Sequence, residues 1–150
     1  MPLPPPSNVT DLETLASDIK RWGRELGFQQ VGISDGNLGE HEGRLKDWLA
    51  KGYQGDMGWM AAHGNKRSRP QELLPGTIRV ISFRMDYLPA DTQQIKVLKQ
   101  DNKAYISRYA LGRDYHKLIR KRLAQLASKI ENAVPDVNQR PFVDSAPVMA

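Results

Sequence analysis

The strongest constraint on this chain is a long, one-sided helix pattern in its C-terminal third. Over residues 113–132, Tyr115, Leu118, Ile119, Leu126 and Ile130 fall at helical spacing, with Arg122 adding its aliphatic stem to the stripe. A helix apolar on one face needs a second surface to cover that face. Residues 12–26 offer one, because Leu12, Leu15, Ile19, Trp22 and Leu26 repeat at three and four residues. Thr10 and Glu13 stand at capping-box spacing before this helix, and Gly27 sits where a left-handed C-cap is wanted. Two such helices, with short apolar runs between them, predict an α/β (α+β) domain: a mixed sheet with helices packed on it. A chain of 150 residues can close one sizeable core around that arrangement.

The strands expected in the sheet are residues 28–34, 77–87 and 140–145, with 104–110 as a further strand or extended segment. Val31 and Ile33 flank Gly32 in the first, and Ile78, Val80 and Ile81 give the second a buried character. A helix over residues 40–51 carries Leu45, Trp48 and Leu49 and stops at Gly52. Short helical turns are expected near 57–63 and 71–74. Residues 89–103 are polar without clear periodicity and read as a flexible surface excursion. The Pro4-Pro5-Pro6 run makes residues 1–9 a disordered lead-in, with the ordered domain over 10–150.

Composition removes several chemistries. The chain has no cysteine, which excludes a disulfide scaffold, a thiolate zinc site, a cysteine nucleophile and any iron–sulfur cluster held by this chain. His41, His63 and His116 do not recur at metal-ligand spacing, so no metal site is expected. No stretch reaches the ~20 apolar residues of a membrane helix, and the start has neither the basic nor the apolar region of a signal peptide. The expectation is a cytoplasmic protein with no membrane partner. Lys and Arg number 22 against 17 Asp and Glu, a net charge of +5 that permits a polyanionic partner without requiring one.

Four groups of residues could carry chemistry, and each has a plainer reading. In Arg108-Tyr109-Ala110-Leu111-Gly112-Arg113-Asp114-Tyr115-His116, a glycine before a helix start exposes backbone N–H groups to an anion, and two arginines add forked donors. The same segment reads as an ordinary helix start with Asp114 favouring the dipole. In Pro141-Phe142-Val143-Asp144-Ser145-Ala146-Pro147, an acid after an apolar strand sits where α/β folds place ligand-contacting groups. Partial burial would keep it protonated as a proton donor, whereas the plain reading is a turn cap. Lys66-Arg67-Ser68-Arg69, with Arg113, Lys117, Arg120, Lys121 and Lys129, could track phosphates or could be solvated faces. Trp48, Met57, Trp59 and Met60 could line a cofactor cavity or could be core.

The order of motifs adds a resemblance. Leu26-Gly27-Phe28-Gln29-Gln30-Val31-Gly32-Ile33 leads to Gly55-Asp56-Met57-Gly58-Trp59-Met60, then to Arg69-Pro70 and Leu73-Leu74-Pro75-Gly76-Thr77. The 108–116 and 142–147 segments follow and are the most specific pieces. Over residues 10–148 the chain resembles the N-terminal part of the epoxyqueuosine reductase family, whose members in turn resemble reductive dehalogenases.

That resemblance implies a reductive-dehalogenase- or nitroreductase-like cobalamin-binding part of an oxidoreductase. The family reduces the epoxide of epoxyqueuosine in tRNA to an alkene, the last step of queuosine formation. It uses cobalamin and two 4Fe-4S iron–sulfur clusters, and an electron donor is a further partner. The cluster cysteines lie beyond the matched region, so the chain is expected to be an incomplete domain, inactive alone. By the same resemblance Asp144 is the catalytic proton donor and Arg67 and Ser107 contact cobalamin, with Arg108, Tyr115 and His116 close to that site. Arg113, also near it, joins Lys117, Arg120 and Lys121 as the expected nucleic-acid face. Two rivals come from other classes: a non-catalytic basic RNA-binding or adaptor domain, and a nitroreductase-like flavin domain.

Overall fold

A computed structural model describes residues 11–144 and 146–148. Helix α1 spans Leu12–Glu25, and Asp11 caps it by accepting from the backbone N–H groups of Glu13 at 3.3 Å and Thr14 at 3.2 Å. The Thr10 cap and the 1–9 lead-in expected from the sequence lie outside the described residues. The chain leaves α1 through Gly27 at φ 86°, as its spacing predicts. A side chain there would also collide with Arg122, whose Nη1 lies 2.8 Å from the missing Cβ position.

Strand β1, Gln30–Ser34, pairs antiparallel with β2, Val80–Arg84, in the register Gln30↔Arg84 and Ser34↔Val80. Between them come α2 (Gly39–Ala50), 3₁₀ turns at Gly58–Met60 and Gly64–Arg67, and α3 (Pro70–Leu73). Helix α2, the first 3₁₀ turn and α3 match the helix expected over 40–51 and the turns expected near 57–63 and 71–74, whereas the turn at Gly64–Arg67 is unexpected. Glu42 of α2 accepts from Ser68 Oγ and from Arg69 Nε and Nη2, each at 2.9 Å, which fastens α2 to the start of α3. Residues 89–103 contain α4, Gln94–Leu98, whose Ile95 and Leu98 are exposed. A third 3₁₀ turn, Arg108–Ala110, precedes the long helix α5, Tyr115–Ala133.

Among the described residues the expected mixed sheet is not formed. The two strands make a small antiparallel sheet, and the fold is α+β. Residues 104–107 pair with no strand among the described residues and lead into the 3₁₀ turn. Residues 140–144 are irregular, with Pro141 unable to donate to a ladder, and Ser145 lies outside the described residues. Both paired strands are shorter than expected. Phe28 is buried ahead of β1, whereas Ile78, counted as buried strand, is 75% exposed.

Helix α1 packs on β1 and on α5. Gly23 permits this approach, since a Cβ there would lie 2.6 Å from Val31 Cγ2. The core has two parts. Ile19, Leu126 and Ile130 gather Leu15, Trp22, Val31, Ile33, Ile81, Phe83 and Val137. Phe28, Leu123 and Val143 gather Leu26, Phe83, Met85, Tyr115 and Ile119. Leu26 and Phe83 belong to both, so the two parts are continuous. The buried stripe of α5 is the expected one over Tyr115, Ile119, Arg122, Leu126 and Ile130, with Leu123 added and Leu118, 45% exposed, left outside. Among the described residues no helix is long and apolar enough to cross a membrane.

Candidate functional site

The start of α5 gathers the groups of most chemical interest. Gly112 turns the chain at φ 88° and Asp114 becomes the N-cap, its Oδ1 accepting from His116 N at 3.0 Å. The same Oδ1 lies 2.9 Å from His116 Nδ1, so one carboxylate caps the helix and orients the imidazole. The Tyr115 and His116 rings stack with centroids 4.1 Å apart and planes 25° from parallel. Tyr109 meets the Tyr115 ring edge-on at 6.3 Å, and Tyr87 meets Tyr109 in the same way at 6.3 Å. The plain reading of Asp114 as a helix start is therefore correct but incomplete.

Asp144 comes to this cluster from the segment that follows α5. Its neighbour Val143 is buried against Phe28 and Leu123, which carries the carboxylate toward Tyr115. The backbone at Asp144 is left-handed, φ 54°, a conformation aspartate tolerates better than most non-glycine residues. Tyr115 Oη donates a hydrogen bond to Asp144 Oδ2, and His116 Nε2 stands 3.6 Å from the same oxygen. The hydrogen bond to Asp144, helped by partial burial, raises the Tyr115 phenol above its ordinary value. The His116 contacts hold the Asp114 carboxyl below its own. One expectation is corrected here: in place of partial burial, the Asp144 side chain is 61% exposed, with the Tyr115 hydroxyl and the His116 imidazole as its polar neighbours.

Arg67 lies in a different place. Its Nη2 donates to Trp59 O at 3.2 Å and its guanidinium lies 5.5 Å from the Trp59 ring centroid. Its Nε is shielded from solvent and has no hydrogen-bond partner among the described residues. Arg67 borders an open groove of about 460 Å³ with His41, Arg44, Leu45, Trp48, Met60 and Val148. Trp48 and Met60 thus line a concavity, while Met57 and Trp59 are largely exposed. Val148 lies four residues past Asp144, but no hydrogen bond or ion pair joins Arg67 to the Asp144 cluster among the described residues.

Ser107 is exposed at the head of the third 3₁₀ turn, where its carbonyl accepts from Ala110 N at 3.0 Å. Arg108 follows it half-buried, with Nε unpartnered among the described residues. Arg113, Lys117, Arg120 and Lys121 are all exposed, and the last three share one face of α5 by their spacing. Lys129 leaves that group: it pairs with Glu25 at 3.7 Å and sits over the Trp22 ring.

Two features escape a reading of the sequence. The Tyr87–Tyr109–Tyr115 series joins Tyr87, from the stretch after β2, to two tyrosines of the 108–116 segment, and no local pattern announces it. The Glu42 clamp is similar. Its i,i+4 pairing with Lys46 is readable, but the contacts to Ser68 and Arg69 are not. Hydrogen bonds from Arg69, Lys46 and Ser68 lower the Glu42 carboxyl to about 2.

Residues 67–145, just over half of the chain, match the family described as Epoxyqueuosine reductase QueG, DUF1730. A curated protein from Pseudomonas aeruginosa named epoxyqueuosine reductase is 67% identical over 139 residues, covering 93% of this chain and 38% of its own length. Proteins of the same name from Aliivibrio fischeri and Escherichia coli are 60% and 57% identical, over 91% and 95% of this chain. The chain spans about 38% of the length of these relatives. No solved structure matches it.

Proposed function

Because the chain belongs to the family Epoxyqueuosine reductase QueG, DUF1730, we propose that it builds the proton-delivering side of an epoxyqueuosine reductase site acting on tRNA. The observation that carries this reading is the convergence of Tyr115 and His116 on one oxygen of Asp144 within the matched region. Breaking a carbon–oxygen bond leaves charge on oxygen, and a positioned acid is worth about 10²–10⁴-fold there. Asp144 is that acid in this reading. Asp114 holds the histidine, and Val143, seated in the core, anchors the residue next to it.

The groove at Arg67 fits one edge of a corrin. It combines the apolar walls of Leu45, Trp48, Met60 and Val148 with an Arg67 Nε that has no partner among the described residues and could meet a polar amide edge. Arg67 and the exposed backbone at Ser107 would hold cobalamin, with Arg108, Tyr115 and His116 nearby. Bound there, the corrin would supply the reducing chemistry. The 4Fe-4S clusters would be held by cysteines in the part of the relatives that this chain does not span, since it has none. The chain alone would then be inactive, and a separate electron donor would feed the full enzyme in the cytoplasm.

Arg113, Lys117, Arg120 and Lys121 give the exposed cationic face that a folded tRNA would meet. That same face favours the second reading, a non-catalytic RNA-binding domain. Asp144→Asn in the full-length enzyme separates the two. The reductase reading expects epoxide reduction to be lost with tRNA binding kept, and normal turnover would overturn it.

A further inference from the structure

Asp144 Oδ2 accepts the hydroxyl hydrogen of Tyr115, so in this arrangement that oxygen does not carry the proton an acid must deliver. A proton source has to stand within reach, and His116 Nε2 is 3.6 Å from the same oxygen. The other ring nitrogen, Nδ1, is 2.9 Å from Asp114 Oδ1, which as a carboxylate only accepts. This contact assigns the hydrogen of the neutral imidazole to Nδ1. The second hydrogen, present only in the imidazolium, is then on Nε2 and faces Asp144. Stacking on Tyr115 restrains the ring in that orientation.

We propose that His116 is a positioning and proton-supplying residue for Asp144, a role that rests on reading Asp144 as the acid of the reductase. The Nε2–H proton passes to the Asp144 carboxylate, and Asp144 gives its proton to the oxygen freed from carbon. His116 is left as the Nδ1–H tautomer and regains a proton from water, its side chain being 37% exposed. Only a proton moves in this step, and the electrons belong to the reduction it accompanies. The groups facing the imidazole are Asp114 at the N-cap, Tyr115 on its ring face, and Asp144 from the segment after α5. Tyr109 reaches it only through Tyr115, and Lys117 acts on Asp114 by its charge.

The test measures kcat and KM of the full-length enzyme on tRNA bearing epoxyqueuosine, from mildly acidic to mildly alkaline pH. His116→Gln should lower kcat at least about 10-fold with KM within about twofold, and should flatten the alkaline fall of kcat. Added imidazole should restore turnover to His116→Ala. Asp114→Asn keeps the helix cap, since asparagine caps as well as aspartate. It should lower kcat less than His116→Gln and move the neutral imidazole hydrogen from Nδ1 toward Nε2, read by ¹⁵N NMR. Wild-type kcat and pH profile in His116→Gln, a loss confined to KM, or no imidazole rescue would overturn the role. Asp144→Asn runs alongside: if it turns over normally, the acid reading itself falls and takes this role with it. If it is inactive while His116→Gln is unaffected, only the proton supply falls.

Discussion

Tyr115 and Asp144 are joined by a hydrogen bond across 29 residues, from the first residue of α5 to the segment that returns past it. The bond raises the Tyr115 phenol above its ordinary value of 10.0. A group whose folded value is raised stabilises fully below its unfolded value and loses that contribution as pH rises through the folded one. Stability should therefore fall above pH 10 by more in the wild type than in Tyr115→Phe. Urea denaturation on either side of that range, in both proteins, checks this. Equal alkaline losses would mean that the bond adds nothing to stability.

Glu42 titrates in the opposite sense. Its folded value of about 2 lies below the ordinary 4.5, so its contribution is present above that ordinary value and is lost as pH falls toward 2. Glu42→Gln should be less stable than wild type at neutral pH and should close most of the difference at acid pH. The comparison is made by urea midpoints at the two pH values. A gap that stays constant would mean the clamp acts by shape and not by charge.

The packed face of α5, with Leu126 inside and Leu118 outside, can be read by truncation. Leu126 is 2% exposed, and Leu126→Ala should cost about 2–5 kcal/mol. Leu118 is 45% exposed, and Leu118→Ala should stay near about 0.5 kcal/mol. Chemical denaturation of the two variants decides whether the observed face is the packed one.

The cationic face of α5 makes a salt prediction. Replacing Lys117 and Lys121 together by Gln should weaken tRNA binding and flatten the plot of log affinity against log salt. The slope should change by up to about 0.7–0.9 for each phosphate that is no longer neutralised. Filter binding over a salt series measures it. An unchanged slope would place the RNA elsewhere on the protein.

Helices were the legible part of this fold. The α1 and α5 patterns depend on neighbours three and four residues apart, which a sequence displays directly. The capping of α5 by Asp114 and the bend at Gly27 are equally local. Pairing is not local. Residues 77–87 and 140–145 are apolar enough for strands, yet among the described residues of both only Val80–Arg84 finds an edge to bond, and Pro141 interrupts the last segment. Asp144 could be singled out by its position after an apolar run. Its partners could not, because the approach of Tyr115 and His116 depends on how Val143 seats in the core. The expected partial burial of the acid failed for the same reason: burial is set by what arrives from elsewhere in the chain.

The acid is aimed by a three-body fit, with Val143 wedged against Phe28 and Leu123 and Asp144 the next residue along. The volumes at positions 28, 123 and 143 are therefore not independent. A larger side chain at one would push residue 144 off Tyr115 unless another shrank to match. Substitutions at these three sites should be tolerated in compensating combinations and resisted singly, although none of the three touches a proton.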